Sequence, residues 1–234
     1  ILKFDGTEAN TDGDGVGSLA GQSGFQVIGS ALTKSRGIEY GEIVSMPEAE
    51  RAIRTALQSA QKLANSRVDH AIACVSGGRP RSYGLEGDID IKNEIVDNND
   101  IADVLGSCGI PAYESDREVL HAQPVNFSLD HRTGLSDPRG QIGKNLSVDM
   151  HMLTIKEKTI QDLAYCIKRC DLELAGVASS SYVSALSSLV EDEKELGAAC
   201  IDLGGGSSNI SIFWKKHMIF AETIKMGGEL VTKD

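Results

Sequence analysis

The chain has 234 residues, with 23 Lys plus Arg against 34 Asp plus Glu, a formal net charge of −11. That acidity excludes nucleic acid as the main partner, because neutralising phosphates takes a basic face. Apolar residues make up 41%, enough for a core in one large or two modest domains without disulfide staples, and no run approaches the roughly 18 apolar residues of a membrane span.

The chain opens inside the apolar run Ile1, Leu2, Phe4, has no initiator Met and stops at Thr232-Lys233-Asp234, which reads as the start of another element. It is therefore expected to be part of a longer polypeptide. Residues 5–24 are rich in Gly, Asp, Ser and Thr and predict a surface loop before a strand from Phe25 to Ser30. Asp12-Gly-Asp14-Gly begins like a calcium loop, but Val16 and Ser23 stand where ligands are required, so calcium is rejected. Ser45 to Ala64 predicts a helix. Ser45 and Glu48 form a capping-box pattern around Pro47, and Ala49, Ile53, Ala56, Leu57, Ala60, Leu63 and Ala64 make one apolar stripe. Ala71, Ala73 and Val75 alternate as a strand that ends at Ser76-Gly77-Gly78.

Residues 82–153 read as a separate α+β module. Tyr83, Leu85, Ile89 and Ile91 mark an extended segment broken at Gly87, Asn99 to Cys108 a short helix, and Val119 to Leu129 a second extended segment. Leu146, Val148, Met150 and Met152 alternate with polar residues, as in a one-sided strand. From Thr159 a helix runs to about Asp171, a short buried strand covers Leu172 to Ala178, and a helix covers Ser180 to Val190. The charge run Glu191 to Glu195 reads as a solvated corner. Ala198 to Leu203, Ile210 to Trp214 and residues 216–224 form a strand meander.

One stretch carries chemistry. An apolar strand delivers Asp202, and Gly204, Gly205, Gly206, Ser207, Ser208 and Asn209 follow before a second strand. Glycines let successive backbone N–H groups approach phosphate oxygens, and Ser207 and Ser208 add hydroxyls. Asp202 is placed to hold Mg²⁺ through water, since Mg²⁺ takes oxygen ligands and keeps part of its hydration shell. The alternative is a glycine-rich β-turn with no ligand. The stretch lacks the P-loop lysine, and a strand rather than a helix follows, so it is not a dinucleotide fingerprint. His70, His121, His131, His151 and His217 lack metal-ligand spacing, and nothing marks a nucleophile. The five cysteines Cys74, Cys108, Cys166, Cys170 and Cys200 form no C-x-x-C, and Cys166 and Cys170, four apart on the predicted helix, read as core or half-buried thiols. The sequons at Asn126, Asn145 and Asn209 read as chance matches.

Asp202-Leu-Gly-Gly-Gly-Ser-Ser-Asn-Ile resembles the second phosphate loop of the actin, Hsp70 and sugar-kinase superfamily. Four flanks are similar to the FtsA family of bacterial cell-division proteins: Ser35-Arg-Gly-Ile-Glu-Tyr-Gly-Glu-Ile43, His121 to Asp130 followed by Asp137-Pro-Arg-Gly140, Val177-Ala-Ser-Ser-Ser-Tyr182, and Met226 to Asp234. They run in family order along the chain. The resemblance implies an α/β, actin-like (ribonuclease H-like) fold with an inserted strand-helix-strand-strand (SHS2-like) subdomain, 1C. Subdomain 1A would be residues 1–81 and 154–196, 1C would be 82–153, and 197–234 would open 2A. It further implies ATP with Mg and at most weak ATPase activity. Self-association would run through 1C, and FtsZ would bind through a region outside this chain. Further division proteins are implied as partners, and membrane contact would come through a C-terminal helix, at the inner face of the cytoplasmic membrane. Asp5-Gly6-Thr7 has the wrong spacing for the family's first phosphate loop, which is expected upstream of Ile1. A PilM-like scaffold of pilus assembly and a sugar-kinase-like phosphotransferase are the alternative readings.

Overall fold

The computed structural model of the chain describes residues 1–4, 25–109 and 115–232. The Asp12-Gly-Asp14-Gly stretch, Asp5-Gly6-Thr7 and the expected 5–24 loop lie outside the described residues. Strand β1 (Leu2–Phe4) pairs antiparallel with β2 (Phe25–Val27). β3 (Ile38–Glu39) and β4 (Glu42–Ile43) form a hairpin that turns through Tyr40 and Gly41. Both turn residues have positive φ, 51° and 76°, the backbone of a type I′ turn whose twist matches the flanking strands.

Helix α1 (Met46–Ala64) follows. Its N-cap is Ser45, but the expected capping box does not form. The Ser45 N–H already donates to the Gly37 carbonyl at 3.1 Å, which leaves the Glu48 carboxylate nothing to cap. Ala49 is fully buried on the predicted stripe, whereas Leu63 at its far end is 70% exposed.

Strand β5 (His70–Val75) comes next, and then β6 (Arg81–Asp90), α2 (Asn98–Ser107), β7 (Arg117–Leu129), β8 (Arg132–Leu135) and β9 (Asn145–Lys156). These last three strands and β6 form one antiparallel sheet in the order β6-β9-β7-β8. Gly87 does not break β6. It pairs with Val148, and a side chain there would meet the Val104 carbonyl at 2.6 Å, so its role is to let α2 lie close. α2 is started by a reciprocal cap: Asp97 Oδ1 accepts from the N–H of Asn99 and Asp100, and Asp100 Oδ2 accepts from the Asp97 N–H. Leu146 and Val148, on one face of β9, join Ile91, Val96, Val104, Phe127 and Leu129 in a core beneath α2.

Helix α3 (Glu157–Arg169) crosses over to β10 (Glu173–Ser179), which runs parallel to β5. Exposed Glu173 and Ala175 show that β10 is less enclosed than its apolar sequence suggests. The Glu50 carboxylate on α1 ties the two helices together, accepting from Arg54 at 3.0 Å and Arg169 at 2.6 Å. Helices α4 (Ser180–Ser188) and α5 (Glu191–Leu196) precede β11 (Ala198–Leu203), β12 (Ser208–Trp214) and β13 (His217–Ile224), and α6 (Gly228–Val231) closes the described chain. β11, β12 and β13 form an antiparallel meander, as expected. The charge run is solvated at Asp192, Glu193 and Glu195, as expected, but it forms a helix that buries Lys194. It is α5, in which Lys194 is 4% exposed and pairs with Glu191, and the carbonyls of Lys194 and Glu195 accept from the N–H groups of Lys216 and Lys215 at the β12–β13 turn.

A second core gathers Leu153, Ala185, Phe213, Met218 and Ala221. Leu153 comes from the opposite face of β9, so this one strand serves both cores. Cys166 and Cys170 are buried, as expected, Cys108 and Cys200 are half-buried, and Cys74 is exposed. Burial pushes the Cys166 thiol up to about 11.

Candidate functional site

The glycine turn sits between β11 and β12, and its conformation is fixed from three sides. The Gly204 N–H donates to the Ser207 carbonyl at 3.0 Å, closing the turn. The carbonyls of Gly204 and Gly205 accept from the N–H groups of Gly228 and Glu229, each at 2.9 Å. Ser208 Oγ donates to the Met226 carbonyl at 2.7 Å. A Cβ on Gly227 would stand 2.3 Å from the Gly205 carbonyl oxygen, so only glycine allows this approach. The turn's carbonyls are thus spent on the start of α6. The N–H groups of Gly205 and Gly206 find no acceptor among the described residues.

Asp202, the penultimate residue of β11, lies directly across from Asn209. Its Oδ2 accepts from Ser184 Oγ at 3.1 Å and from Asn209 Nδ2 at 3.3 Å. Asn209 Oδ1 in turn accepts from Thr223 Oγ1 at 2.8 Å. The chain Ser184–Asp202–Asn209–Thr223 therefore joins α4, β11, β12 and β13, while Asp202 Oδ1 carries no hydrogen bond from a described residue. This arrangement fits a phosphate with its magnesium. The free groups of the turn are donors, as an anion requires, and the carboxylate beside them is held by two donors with one oxygen left for a hydrated cation.

The sequence-predicted residues divide into two sets. Asp202, Gly204, Gly206 and Ser208 are half-buried and Gly205 is exposed, so these reach the surface of the turn. Ser207 and Asn209 are 8% and 3% exposed and belong to its frame. Beside the turn lies a cleft of about 260 Å³ lined by Tyr40, Ser76, Gly77, Arg79, Thr223 and Lys225, among others. The Lys225 ammonium donates to Glu42 at 2.8 Å and holds that carboxyl below its usual range. Ser184, Thr223, Tyr40, Glu42 and Lys225 carry no local sequence signal for this place, because they arrive from α4, from the β3–β4 hairpin and from β13 with the turn after it.

Elsewhere, His121 Nε2 accepts from the Ser179 N–H at 2.9 Å, and burial lowers its pKa. Among the described residues no group of three or more His, Cys, Asp or Glu is arranged to hold a metal ion, and no helix is long and apolar enough to cross a membrane.

The family described as "SHS2 domain inserted in FTSA" matches residues 77–154. "Cell division protein FtsA" of Rhizobium meliloti (strain 1021) is 38% identical over 210 residues, covering 90% of this chain and 48% of that protein. The protein of the same name from Pseudomonas aeruginosa is 31% identical over 219 residues, 94% of this chain and 52% of that protein. The chain spans about half the length of the curated relatives it matches. Among solved structures, the "PilM-PilN type IV pilus biogenesis complex" superposes with a TM-score of 0.58 at 10% identity, covering 86% of this chain and 55% of that one. That likeness speaks for the fold alone, an actin-like fold of mixed α/β type with the SHS2 unit inserted. With residues 77–154 matching the inserted domain and nine-tenths of the chain aligned, the chain is similar, over the span it covers, to part of the FtsA proteins.

Proposed function

We propose that this chain is part of an actin-like, ATP-binding cell-division protein. In this reading the whole protein polymerises and anchors FtsZ filaments to the inner face of the cytoplasmic membrane during septum formation. Residues 1–81 and 154–196 form subdomain 1A, residues 82–153 form 1C, through which copies associate, and residues 197–234 open 2A. The observation that carries this reading is the alignment with proteins named cell division protein FtsA over nine-tenths of the chain. The superposition on a pilus complex favours a PilM-like scaffold only at the level of shape, with 10% identity.

The turn supplies the nucleotide contacts. The Gly205 and Gly206 N–H groups would hold phosphate oxygens, Ser208 keeps the turn in shape through its bond to the Met226 carbonyl, and Asp202 would hold a magnesium-bound water. Magnesium, when bound, offsets the charge of the phosphates. Ser184 and Asn209 keep Asp202 in place. Occupancy favours the polymer-competent arrangement by binding it better than the alternative, so the protein acts chiefly as an adaptor, at most a weak ATPase.

The test uses the full-length polypeptide. It is sedimented with and without Mg-ATP, and FtsZ is added over vesicles of bacterial phospholipid. ATP-dependent pelleting and delivery of FtsZ to vesicles are expected, both reduced by Asp202→Asn. No recruitment of FtsZ to lipid would remove the adaptor reading. Phosphoryl transfer to a small acceptor other than water would replace it with a kinase.

A further inference from the structure

Helix α4 carries Ser184, which donates to Asp202, and the start of α4 is fixed from three elements. The N–H of Ser179, the N-cap residue, donates to His121 Nε2 on β7 at 2.9 Å. Ser180 Oγ accepts from Ser76 Oγ at 3.0 Å, just past the end of β5. The Ser181 carbonyl accepts from Ser211 Oγ on β12 at 3.0 Å. Among the described residues, the His121 bond is the one that reaches α4 from the four-stranded sheet. Ser179 is 4% exposed, so its N–H cannot turn to water. Without His121 a buried donor stands unpaired, a cost the chain escapes only by moving the helix start. His121 meets α4 a second time through its ring, whose centre is 5.0 Å from that of Tyr182, and Tyr182 stacks on Phe213 of β12 at 6.0 Å. Since Nε2 accepts, the ring proton is on Nδ1, and burial lowers the pKa, which keeps the ring neutral. Ser184 lies about 7 Å further along the helix axis than Ser179. A shift or rotation at Ser179 therefore carries Ser184 with it.

We propose that His121 is a positioning residue for the magnesium aspartate: by holding the start of α4 it aims the Ser184 hydroxyl at Asp202 Oδ2 and so leaves Oδ1 free for a cation's water. This rests on the nucleotide reading above. The path is short. It runs from His121 Nε2 to the Ser179 amide, along about one and a half turns of helix, and from Ser184 Oγ to Asp202 at 3.1 Å. Asp202 Oδ2 has two donors, and they differ in origin. Asn209, at 3.3 Å, is held within the meander by Thr223. Ser184 is the donor from outside the meander, so the carboxylate's orientation depends on where α4 stands. Partners of a metal-holding carboxylate set its orientation and thereby the affinity for the metal. The four-stranded sheet, which supplies His121, thus acts on the metal site through one imidazole.

The experiment measures, by calorimetry, the affinity of the full-length protein for ATP with magnesium and for ATP with EDTA. The ratio of the two is read within each variant, so a change in folded fraction cancels. His121→Phe keeps a ring against Tyr182 but loses the acceptor, and should lower the ratio about threefold, the worth of one hydrogen bond. His121→Gln, whose amide oxygen can accept, should hold the ratio near the natural value. Ser184→Ala should lower it about tenfold, and His121→Phe added to Ser184→Ala should lower it no further, because the path ends at Ser184. Effects that multiply in the double variant overturn the inference, as does a glutamine variant no better than phenylalanine. A natural ratio in His121→Phe beside a fallen one in Ser184→Ala also overturns it and leaves the nucleotide site standing. If His121→Phe does not fold, His121→Leu takes its place in the same comparisons. If the natural sequence binds ATP no better with magnesium than without it, or not at all, the nucleotide reading and this inference fall together.

Discussion

Replacing His151 with leucine tests how the two sheets are sealed against each other. His151 lies at the middle of β9, between Gly84 of β6 and Gln123 of β7. It is 2% exposed, and both ring nitrogens lack a hydrogen-bond partner. Burial, and secondarily the neighbouring His121, pushes its pKa down from 6.5 to about 4. The folded protein therefore keeps the imidazole neutral where the unfolded chain takes up a proton. The contribution to stability is intact above pH 6.5, declines as the pH falls below it, and levels off below about pH 4. A gap of about 2.5 pH units, at about 1.4 kcal/mol each, comes to about 3 kcal/mol lost across that window. Leucine carries no proton and fills a similar volume, so His151→Leu should flatten the pH dependence by that amount. At neutral pH it should also add about 1–3 kcal/mol, because two buried unpartnered nitrogens disappear. Urea unfolding followed by circular dichroism at intervals from about pH 7 to about pH 4 measures both effects. Parallel pH curves for the variant and the natural sequence would refute the reasoning, since the slope would then belong to other groups.

Three further substitutions probe the turn and the inserted sheet. Gly227→Ala drives a methyl group into the Gly205 carbonyl. It should cost about 1–3 kcal/mol and speed hydrogen exchange at Gly228 and Glu229, whose amides the turn holds. Asn209→Ala removes a side chain shared by Asp202 and Thr223. A loss of about 1–3 kcal/mol is expected in urea unfolding, and an unchanged midpoint would mean the network is idle. Gly87→Ala places a methyl 2.6 Å from the Val104 carbonyl and should cost about 1–3 kcal/mol. Exchange should quicken first in α2, with β11 to β13 unaffected.

The meander from Ala198 to Ile224 was readable because apolar runs lie on both sides of the glycine turn, which separates the first two strands. β8 was not readable, since Arg132-Thr-Gly-Leu135 is four residues long and shows no clear alternation. Ser45 and Glu48 have capping spacing, yet the Gly37 carbonyl reached the Ser45 N–H first, and nothing near Ser45 in the sequence announces that. Asp97 and Asp100 do form such a box with a weaker-looking pattern. Gly87 looked like a break because a missing side chain reads the same whether it ends a strand or makes room for a helix. At the site, Asp202 and the glycines lie within five residues of one another and could be seen. Ser184 reaches Asp202, and Thr223 reaches Asn209, only through space.

β9 faces two cores, with Leu146 and Val148 on one side and Leu153 on the other. Two-sided commitment makes its pairing self-checking. A slip of one residue would turn both sets of side chains outward at once, so either core alone forbids it. It also sets how stress crosses the molecule. Ser82 Oγ accepts from the Ala221 N–H and donates to the Ala221 carbonyl, at 2.8 and 3.0 Å, and Gln123 Nε2 donates to the Met218 carbonyl. Both strands that flank β9 are therefore pinned to β13. A load applied at the outer tip of the four-stranded sheet reaches the glycine-turn meander through extended backbone and these pins, with no swivel between. The four-stranded sheet is thereby joined through both neighbours of β9 to the meander that carries the glycine turn.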